Sequence, residues 1–369
     1  MRRPRAKGPP CAIHDLSPVS APGSTHYLPH SRPSALAPWR LNVVVYSRDP
    51  TPPGAERMHA LSFELPHPES LSLSSDAVKI ARALGRCINL KELSVYCEGH
   101  HIFSPSPVAI QGWIVSKCPF RLTKFTNAYF RNSFLSGFWS AQAEIRVLSL
   151  PAFAQTFPCY DDQLPNLIAV EAADLQALPT GRPLQRIQVG FPRDFQDFSI
   201  LARFSPTLTT LNLFQGYRNY TFYLRTVEIV ARHLPMLLHF GIGEICTLHT
   251  QIQASDESPL PALAKLTRLE TLFLYTHNIA TFRDATNNIL YPVNTPLDLK
   301  TFGLAIMDAC PQLLQAAIGA HVYRTAIQER KGDKGSELTC TLTRSEVGEV
   351  LSLNGTGFEF PAVSKFWEP

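Results

Sequence analysis

Four residues in the first third of the chain carry atoms that zinc accepts: Cys97, His100, His101 and Cys118. Cys97-x-x-His100 has the spacing of a close ligand pair, but a structural zinc site usually needs two such pairs. Cys118 has no second ligand close to it in the sequence. We therefore favour loop histidines and reduced core cysteines over a metal centre, and we expect neither a metal nor another cofactor.

Other arrangements that support catalysis are equally incomplete. The adjacent carboxylates of Asp161 and Asp162 precede Pro165 and are more typical of a solvated turn than of a general acid and base. Gly241-Ile-Gly243 lies within an apolar run and lacks the third glycine of a dinucleotide-binding turn. The sequence also has no phosphate loop, H-E-x-x-H or G-x-S-x-G motif. These observations predict a binding protein rather than an enzyme.

A repeated apolar spacing indicates the elements that must position any binding residues. Ten times, an apolar residue is followed three and five positions later by two further side chains that are usually apolar. The ten runs begin at Met58, Leu90, Leu122, Ile145, Leu167, Leu184, Leu208, Leu237, Leu269 and Leu313. Only Asn127 and Ala172 break the third position. The spacing L-x-x-L-x-L is typical of strands in stacked leucine-rich repeats, which bind partners.

Helical stretches are predicted before several runs, at 76–86, 107–117, 195–204 and 221–234. Proline stands two residues before four of the runs, where it ends a helix and favours extended geometry. Each unit is thus predicted as a helix followed by a strand, although the distance between runs varies from 17 to 44 residues. In the longest gap, Pro296 predicts the first turn of another helix.

Together these features predict an α/β fold, an irregular leucine-rich-repeat-like solenoid with a parallel sheet on its concave side, helices outside and a C-terminal hairpin cap. Residues 1–57 hold 11 of the 31 prolines and are predicted to be mostly disordered apart from a strand-like run at 41–46. We assign 58–321 to the solenoid and 322–369 to the capping hairpin and tail. In that hairpin, a strand at 323–327 is predicted to pair with one at 338–342.

Charge and hydropathy exclude other classes of protein. The net charge is +4, but 1–57 hold 8 of the 34 basic residues and 3 of the 30 acidic ones, so the remainder is nearly neutral. A neutral folded part argues against nucleic acid as a partner. No run reaches the 18 apolar residues of a membrane helix, and the N-terminus has no secretory signal. The eight cysteines show no disulfide framework, which favours the cytoplasm or the nucleus.

Strand residues that stand between the apolar positions are predicted to point to the opposite, concave face of the sheet. Charged, amide and aromatic side chains among them are the candidate contacts for a protein partner. They are Glu92, Tyr96, Lys124, Arg186, Gln188, Phe214, His239, Phe273 and Tyr275. For Phe214 and Phe273, packing beneath a flanking loop is the alternative. The sequence therefore predicts a protein substrate on the concave face.

The segments NLKELSV at 89–95 and SPTLTTLNL at 205–213 resemble the irregular leucine-rich-repeat region of fungal F-box proteins. The resemblance covers 58–320 and implies the substrate-recognition part of a ubiquitin-ligase subunit. The chain departs from it in two ways: Asn or Cys is missing three residues after the last apolar position, and 1–57 do not match an F-box. A cullin-ligase adaptor is therefore an expected partner only if an F-box lies upstream. A leucine-rich-repeat scaffold without a ubiquitin role is the alternative.

Overall fold

The computed structural model describes residues 43–46, 58–65, 76–97, 109–150, 163–172, 175–179, 181–190, 195–216, 222–245, 260–276, 296–322, 336–345 and 347–353. Within these ranges, thirteen strands form one sheet in chain order. They are β1 (Val43–Tyr46), β2 (Ala60–Leu65), β3 (Glu92–Cys97), β4 (Lys124–Asn127), β5 (Val147–Leu150), β6 (Ala169–Ala172), β7 (Arg186–Gly190), β8 (Thr210–Gly216), β9 (His239–Ile245), β10 (Thr271–Thr276), β11 (Gln315–Val322), β12 (Ser336–Arg344) and β13 (Val350–Leu353).

Helical segments lie between the strands. The α-helices are α1 (Asp76–Leu84), α2 (Trp113–Ser116), α3 (Ser136–Ala141), α4 (Phe222–His233), α5 (Leu260–Leu263) and α6 (Pro296–Ala309). Three 3-10 helices span Asn132–Leu135, Leu175–Ala177 and Phe195–Phe204. No helix in the described ranges is both long and apolar enough to cross a membrane.

The ten predicted runs all form strands, β2 to β11, and these ten pair in parallel. The register aligns the second apolar position of every run. Leu93 lies beside Phe125, Phe125 beside Leu148, and the same row continues through Ile187 to Leu211. This confirms the predicted α/β leucine-rich-repeat-like architecture with a single parallel sheet.

The core lies between this sheet and the helical segments. Apolar residues of the runs and of the helices belong to one buried cluster. Val227 and Ala231 of α4 and Leu234, which directly follows the helix, are all part of it, as their spacing of four and three residues predicts. One face of each strand therefore packs against the core, and the side chains that alternate with the core residues lie on the opposite face of the sheet.

A backbone ladder joins successive units where each strand begins. Lys91 N and Glu92 N both donate to the carbonyl oxygen of His59, at 2.8 and 3.0 Å. The same double donation recurs at the carbonyls of Lys91, Thr123, Arg146, Ile168, Gln185, Thr209, Leu238 and Glu270. These bonds between main-chain groups need no particular side chain. They hold the units in register although the Asn or Cys of regular repeats is missing.

Three of the prolines before the runs lie in tight turns, two of which directly follow the helices α4 and α6. The N–H of the first apolar residue donates to the carbonyl three residues earlier in 164–167, 234–237 and 310–313, at 3.2, 3.2 and 2.9 Å. Proline occupies the second position of each of these turns, where its fixed φ is already suitable. The turn converts the end of one segment into the start of the next strand.

Asn127 breaks the apolar pattern because it organises the chain that follows β4. Its Nδ2 donates to Phe130 O at 2.8 Å and to Asn132 Oδ1 at 3.0 Å. Its Oδ1 accepts from Phe130 N at 2.8 Å and from Tyr129 N at 3.3 Å. The side chain is fully buried, so these backbone groups have a partner away from water.

The helix predictions hold in part. The helix predicted from Pro296 is α6, and the segment at 195–204 is helical but of the 3-10 type. Of the stretch predicted at 107–117, residues 107–108 lie outside the described ranges, and the described part is helical only at Trp113–Ser116. Gly112 permits a close approach there, since a Cβ at this residue would lie 2.3 Å from Phe134 O.

Antiparallel strands finish the sheet at both ends. Residues 43–46 of the strand-like run form β1, which pairs antiparallel with β2, and the rest of 1–57 lies outside the described residues. At the other end, β12 pairs antiparallel with β11, and β13 with β12. The predicted pairing of 338–342 with 323–327 is therefore wrong: Leu338 lies opposite Ala320, and Leu342 opposite Ala316. The free edge of β11, the last parallel strand, pairs with β12, so β11 itself forms the first strand of the cap. Residues 323–335 lie outside the described residues.

Arg344 attaches this cap to the last unit. Its guanidinium donates to Met307 O at 2.7 Å, to Leu313 O at 3.2 Å and to Gly348 O at 3.3 Å. Met307 lies in the last turn of α6, where unpaired carbonyls favour a cation. One side chain thus connects a helix end, the last turn and the terminal hairpin.

Candidate binding face of the sheet

The side chains that alternate with the core-facing ones lie on what we call the distal face of the sheet. The parallel register arranges them in rows that cross the strands. The first row is Glu92, Lys124, Val147, Ala169, Arg186, Thr210, His239 and Thr271, and the middle row is Ser94, Thr126, Ser149, Glu171, Gln188, Asn212, Gly241 and Phe273. Tyr96 and Tyr275 come two residues after the middle-row residues Ser94 and Phe273, so they lie on the same face of β3 and β10.

Four neighbouring side chains of the middle row are hydrogen-bonded in sequence. Ser149 Oγ donates to Glu171 Oε2, and Gln188 Nε2 donates to Glu171 Oε1 at 2.9 Å. Asn212 Nδ2 donates to Gln188 Oε1 at 3.4 Å. We call Ser149, Glu171, Gln188 and Asn212 the polar ladder. It crosses β5 to β8 and places one carboxyl group near the middle of the sheet.

Glu171 accepts neutral donors on both oxygens, and no cation of the described residues pairs with it. No Lys, Arg or His in the described ranges lies within ion-pair distance of its carboxylate. Desolvation raises the pKa of Glu171, and the hydrogen bonds from Ser149 and Gln188 lower it in part. The charged form is thus stabilised by local donors but not by an opposite charge.

Tyr96 lies close to one end of the polar ladder. Desolvation raises the pKa of its phenol, a hydrogen bond with Ser94 lowers it, the negative charge of Glu171 raises it, and a hydrogen bond with Thr126 lowers it. These interactions place the hydroxyl between the middle-row residues of β3 and β4. The residue is nevertheless 38% exposed. An aromatic surface open to solvent therefore lies near a desolvated carboxyl group.

The first row carries two further cations. Lys124 Nζ lies 3.9 Å from the Glu92 carboxylate; desolvation lowers the pKa of Lys124, and Glu92 raises it in part. Arg186 is two residues before Gln188 on β7 and is partly buried. Between them, Val147 and Ala169 are fully buried in a small apolar cluster separate from the main core. The first row is therefore amphipathic.

The other predicted contacts differ in accessibility. Tyr275 and His239 are partly buried, and His239 Nδ1 lies 2.8 Å from Thr271 Oγ1. Gln188 is 9% exposed and Phe273 is 8% exposed, which favours the packing alternative for Phe273. The side chain of Phe214 lies outside the described residues. The sheet brings all nine predicted positions to one face, but they do not offer equal surface.

The hydrogen-bonded polar ladder was not predicted from the sequence. Glu171 and Asn212 belong to the row predicted for the concave face, but neither they nor Ser149 were among the nine chosen contacts, although a signal existed. Read down the ten runs, the residue between the second and third apolar positions is Ser, Ser, Thr, Ser, Glu, Gln, Asn, Gly, Phe and Ala. Because parallel in-register strands stack these positions, seven consecutive polar residues indicate a continuous polar row.

Gly241 allows the ladder to end beside β9. A Cβ at Gly241 would lie 2.5 Å from Asn212 Oδ1, which is closer than such atoms approach. The short Gly241-Ile-Gly243 motif therefore has a packing role at its first glycine. That glycine leaves room for the buried amide of Asn212, which lies opposite it on β8.

The cysteines considered as zinc ligands lie in apolar surroundings. Desolvation raises the pKa of Cys118 to about 12, with a smaller contribution from Cys87. The Cys118 Sγ–H donates to Ile114 O at 3.6 Å. His100, His101, Asp161 and Asp162 lie outside the described residues. Within the described part of the chain, no three His, Cys, Asp or Glu residues are grouped so as to hold a metal ion.

Comparison with known proteins gives a likeness of fold only. No protein-family model matches the chain, and no curated protein matches it. Among solved structures, the chain is similar to the leucine-rich repeat-containing protein LegL7 from Legionella pneumophila. The two are 14% identical with a TM-score of 0.42, and the match covers 70% of this chain and 83% of that one. No conclusion about function follows from a likeness at this level.

Proposed function

We propose that this chain is a protein-binding scaffold, without catalytic activity of its own, whose partner lies along the distal face of the sheet. The observation that supports the proposal most directly is the common register of β2 to β11. Ten strands present equivalent positions in rows, so an extended partner can contact several units at once. Repeat proteins commonly use such continuous surfaces for binding.

The residue types on this face suit a protein partner. Tyr96 and Arg186 belong to residue types that often dominate binding energy. Tyr275 adds a second tyrosine on β10, the strand beside the last parallel strand β11. Buried small residues such as Ala169 lie between them. The accessible part of this face therefore consists of a few large side chains separated by buried small residues.

The resemblance to fungal F-box proteins adds a narrower version of this proposal. In that version the partner is a substrate for ubiquitin transfer, and an F-box upstream binds a cullin-ligase adaptor. A scaffold with no ubiquitin role is the alternative. Co-purification of the adaptor with the protein expressed from its complete transcript distinguishes the two, and an upstream F-box in that transcript would favour the first.

Replacement of Tyr96, Arg186 and Tyr275 by alanine tests the binding face. We expect the triple variant to lose the partners that the native chain captures from a lysate of its own cells, while its circular dichroism and melting curve change little. The matched control replaces Trp113 and Phe134 by alanine. These residues are 49% and 48% exposed and belong to the helical layer.

The control should capture the same partners as the native chain, since it leaves the distal face intact. If the control loses the partners and the triple variant retains them, the recognition surface is on the helical side and the assignment is wrong. Loss of partners on removal of residues 345–369 alone would place recognition in the terminal cap instead.

A further inference from the structure

Glu171 is the only charged residue among the ten positions of the middle row, from Ser62 on β2 to Ala317 on β11. We propose that its carboxyl group receives a lysine or arginine side chain from an extended segment of the partner. This inference rests on the proposed binding function of the distal face. It identifies the chemistry of the partner at one point of that face.

A purely structural role explains the hydrogen bonds of Glu171 but not its charge. Ser149 and Gln188 donate to it, and glutamine in its place could accept the Gln188 bond and donate to the serine oxygen. A desolvated carboxylate without a cation is unfavourable, whereas an amide of the same shape is not. The raised pKa of Glu171, caused by desolvation, is consistent with this imbalance. A partner cation would remove it.

The surroundings favour a cationic side chain over other ligands. A carboxylate oxygen that accepts one bond keeps a further lone pair for a charge-assisted bond. Tyr96 lies on the same face and is 38% exposed, so a partner segment that reaches Glu171 can also contact this tyrosine. A metal ion is disfavoured because the described residues provide no group of three ligands.

An acidic partner is the opposite possibility, since Lys124 and Arg186 share the distal face. Lys124, however, already lies near the carboxylate of Glu92. The polar ladder contains no cation, and its remaining members are neutral. A segment that crosses the strands at this point can therefore place one basic side chain at Glu171, the charged member of the ladder.

A library of random dodecapeptides displayed on phage, selected on the full chain, tests the proposal. We expect enriched peptides to share a lysine or arginine. One such peptide is then synthesised with its basic residue and with glutamine in its place, and both are measured by fluorescence anisotropy against the native chain and Glu171→Gln. Glu228→Gln, the same change at an exposed residue of α4, is the matched control, and Lys124→Gln and Arg186→Gln test for an acidic peptide.

Either single replacement, in peptide or in protein, should weaken binding about tenfold or more, as desolvated charge pairs do. The double replacement should weaken it little further, because both changes remove the same contact. Glu228→Gln should leave the basic peptide bound as tightly as the native chain does. If Glu171→Gln does not fold, Glu171→Asp keeps the charge but withdraws it by one methylene and should also weaken binding.

Three outcomes overturn the inference. Enriched peptides without a basic residue, basic peptides that bind Glu171→Gln as tightly as the native chain, or acidic peptides that depend on Lys124 and Arg186 each contradict it. In these cases, loss of the peptide on the Tyr96, Arg186 and Tyr275 triple variant shows that the distal face still binds, so the proposed function survives. If nothing is enriched over the bait-free support, the inference is wrong, and partner capture alone decides the function.

Discussion

Replacing Asn127 by leucine tests whether the repeat pattern or the local hydrogen bonds determine stability. The change restores the apolar residue that the other runs have at this position. If the pattern were sufficient, the variant would be more stable, as consensus substitutions often are. We expect the reverse, because Asn127 is fully buried and bonds both the N–H and the carbonyl of Phe130 at 2.8 Å.

The magnitude follows from the groups left without a partner. Each buried backbone group that loses its hydrogen bond costs about 1–3 kcal/mol, and Phe130, which supplies two such groups, is itself fully buried. Burial of the larger apolar side chain returns about 1.5–3 kcal/mol. We therefore expect Asn127→Leu to lower the free energy of unfolding by about 1–3 kcal/mol.

Urea denaturation followed by circular dichroism measures this difference, with Ala172→Val as the control. Ala172 is the other break in the pattern, is buried on β6 and has a side chain that makes no hydrogen bonds. A valine there tests pattern restoration and added volume without the loss of a network. An Asn127→Leu variant at least as stable as the native chain would refute the reasoning, and equal losses in both variants would point to overpacking as their common cause.

Three other substitutions test separate parts of the structure. Leu211 is fully buried in the aligned row of β8, so Leu211→Ala should lower the free energy of unfolding by about 2–5 kcal/mol in the same assay; a loss below about 0.5 kcal/mol would be typical of a surface site. Arg344→Met should lose about 1–3 kcal/mol through three carbonyl contacts, and Arg344→Lys should restore only part of it. Glu171 has a raised pKa, so the folded chain holds this proton to higher pH than the unfolded chain and loses stability as pH rises through that value. Glu171→Gln should therefore be more stable than the native chain at pH 7.5, and the advantage should disappear near pH 4; an advantage that persisted there would contradict desolvation as its cause.

Periodicity in the sequence was sufficient to predict the strands. Ten runs of one spacing became ten parallel strands in chain order, because apolar residues at positions 1, 4 and 6 can share a core only if the last two lie on one face of a strand. The start of α6 at Pro296 was predictable for a similarly local reason. Local geometry was less certain, as the 3-10 helix at Phe195–Phe204 shows.

Pairings that depend on competition between segments were not predictable in the same way. The strand at Ser336–Arg344 alternates equally well beside either neighbour, and only the assembled sheet makes the free edge of β11 the available partner. Asn127 looked like a defect for a related reason. Its value depends on Phe130 and Asn132 folding back onto it, which no periodicity reveals.

The polar ladder was predictable from the sequence in one respect and not in another. Its composition could be read from the sequence once the runs were stacked, but the loss of solvent around Glu171 could not. That loss separates two explanations of the same residue. If Glu171 serves only the fold, glutamine should improve stability and leave binding unchanged; if it receives a partner cation, the same substitution should improve stability and weaken binding. A residue whose replacement raises stability but weakens binding is retained for function at a cost in stability. Measuring both the stability and the peptide binding of Glu171→Gln therefore distinguishes a binding role from a packing role.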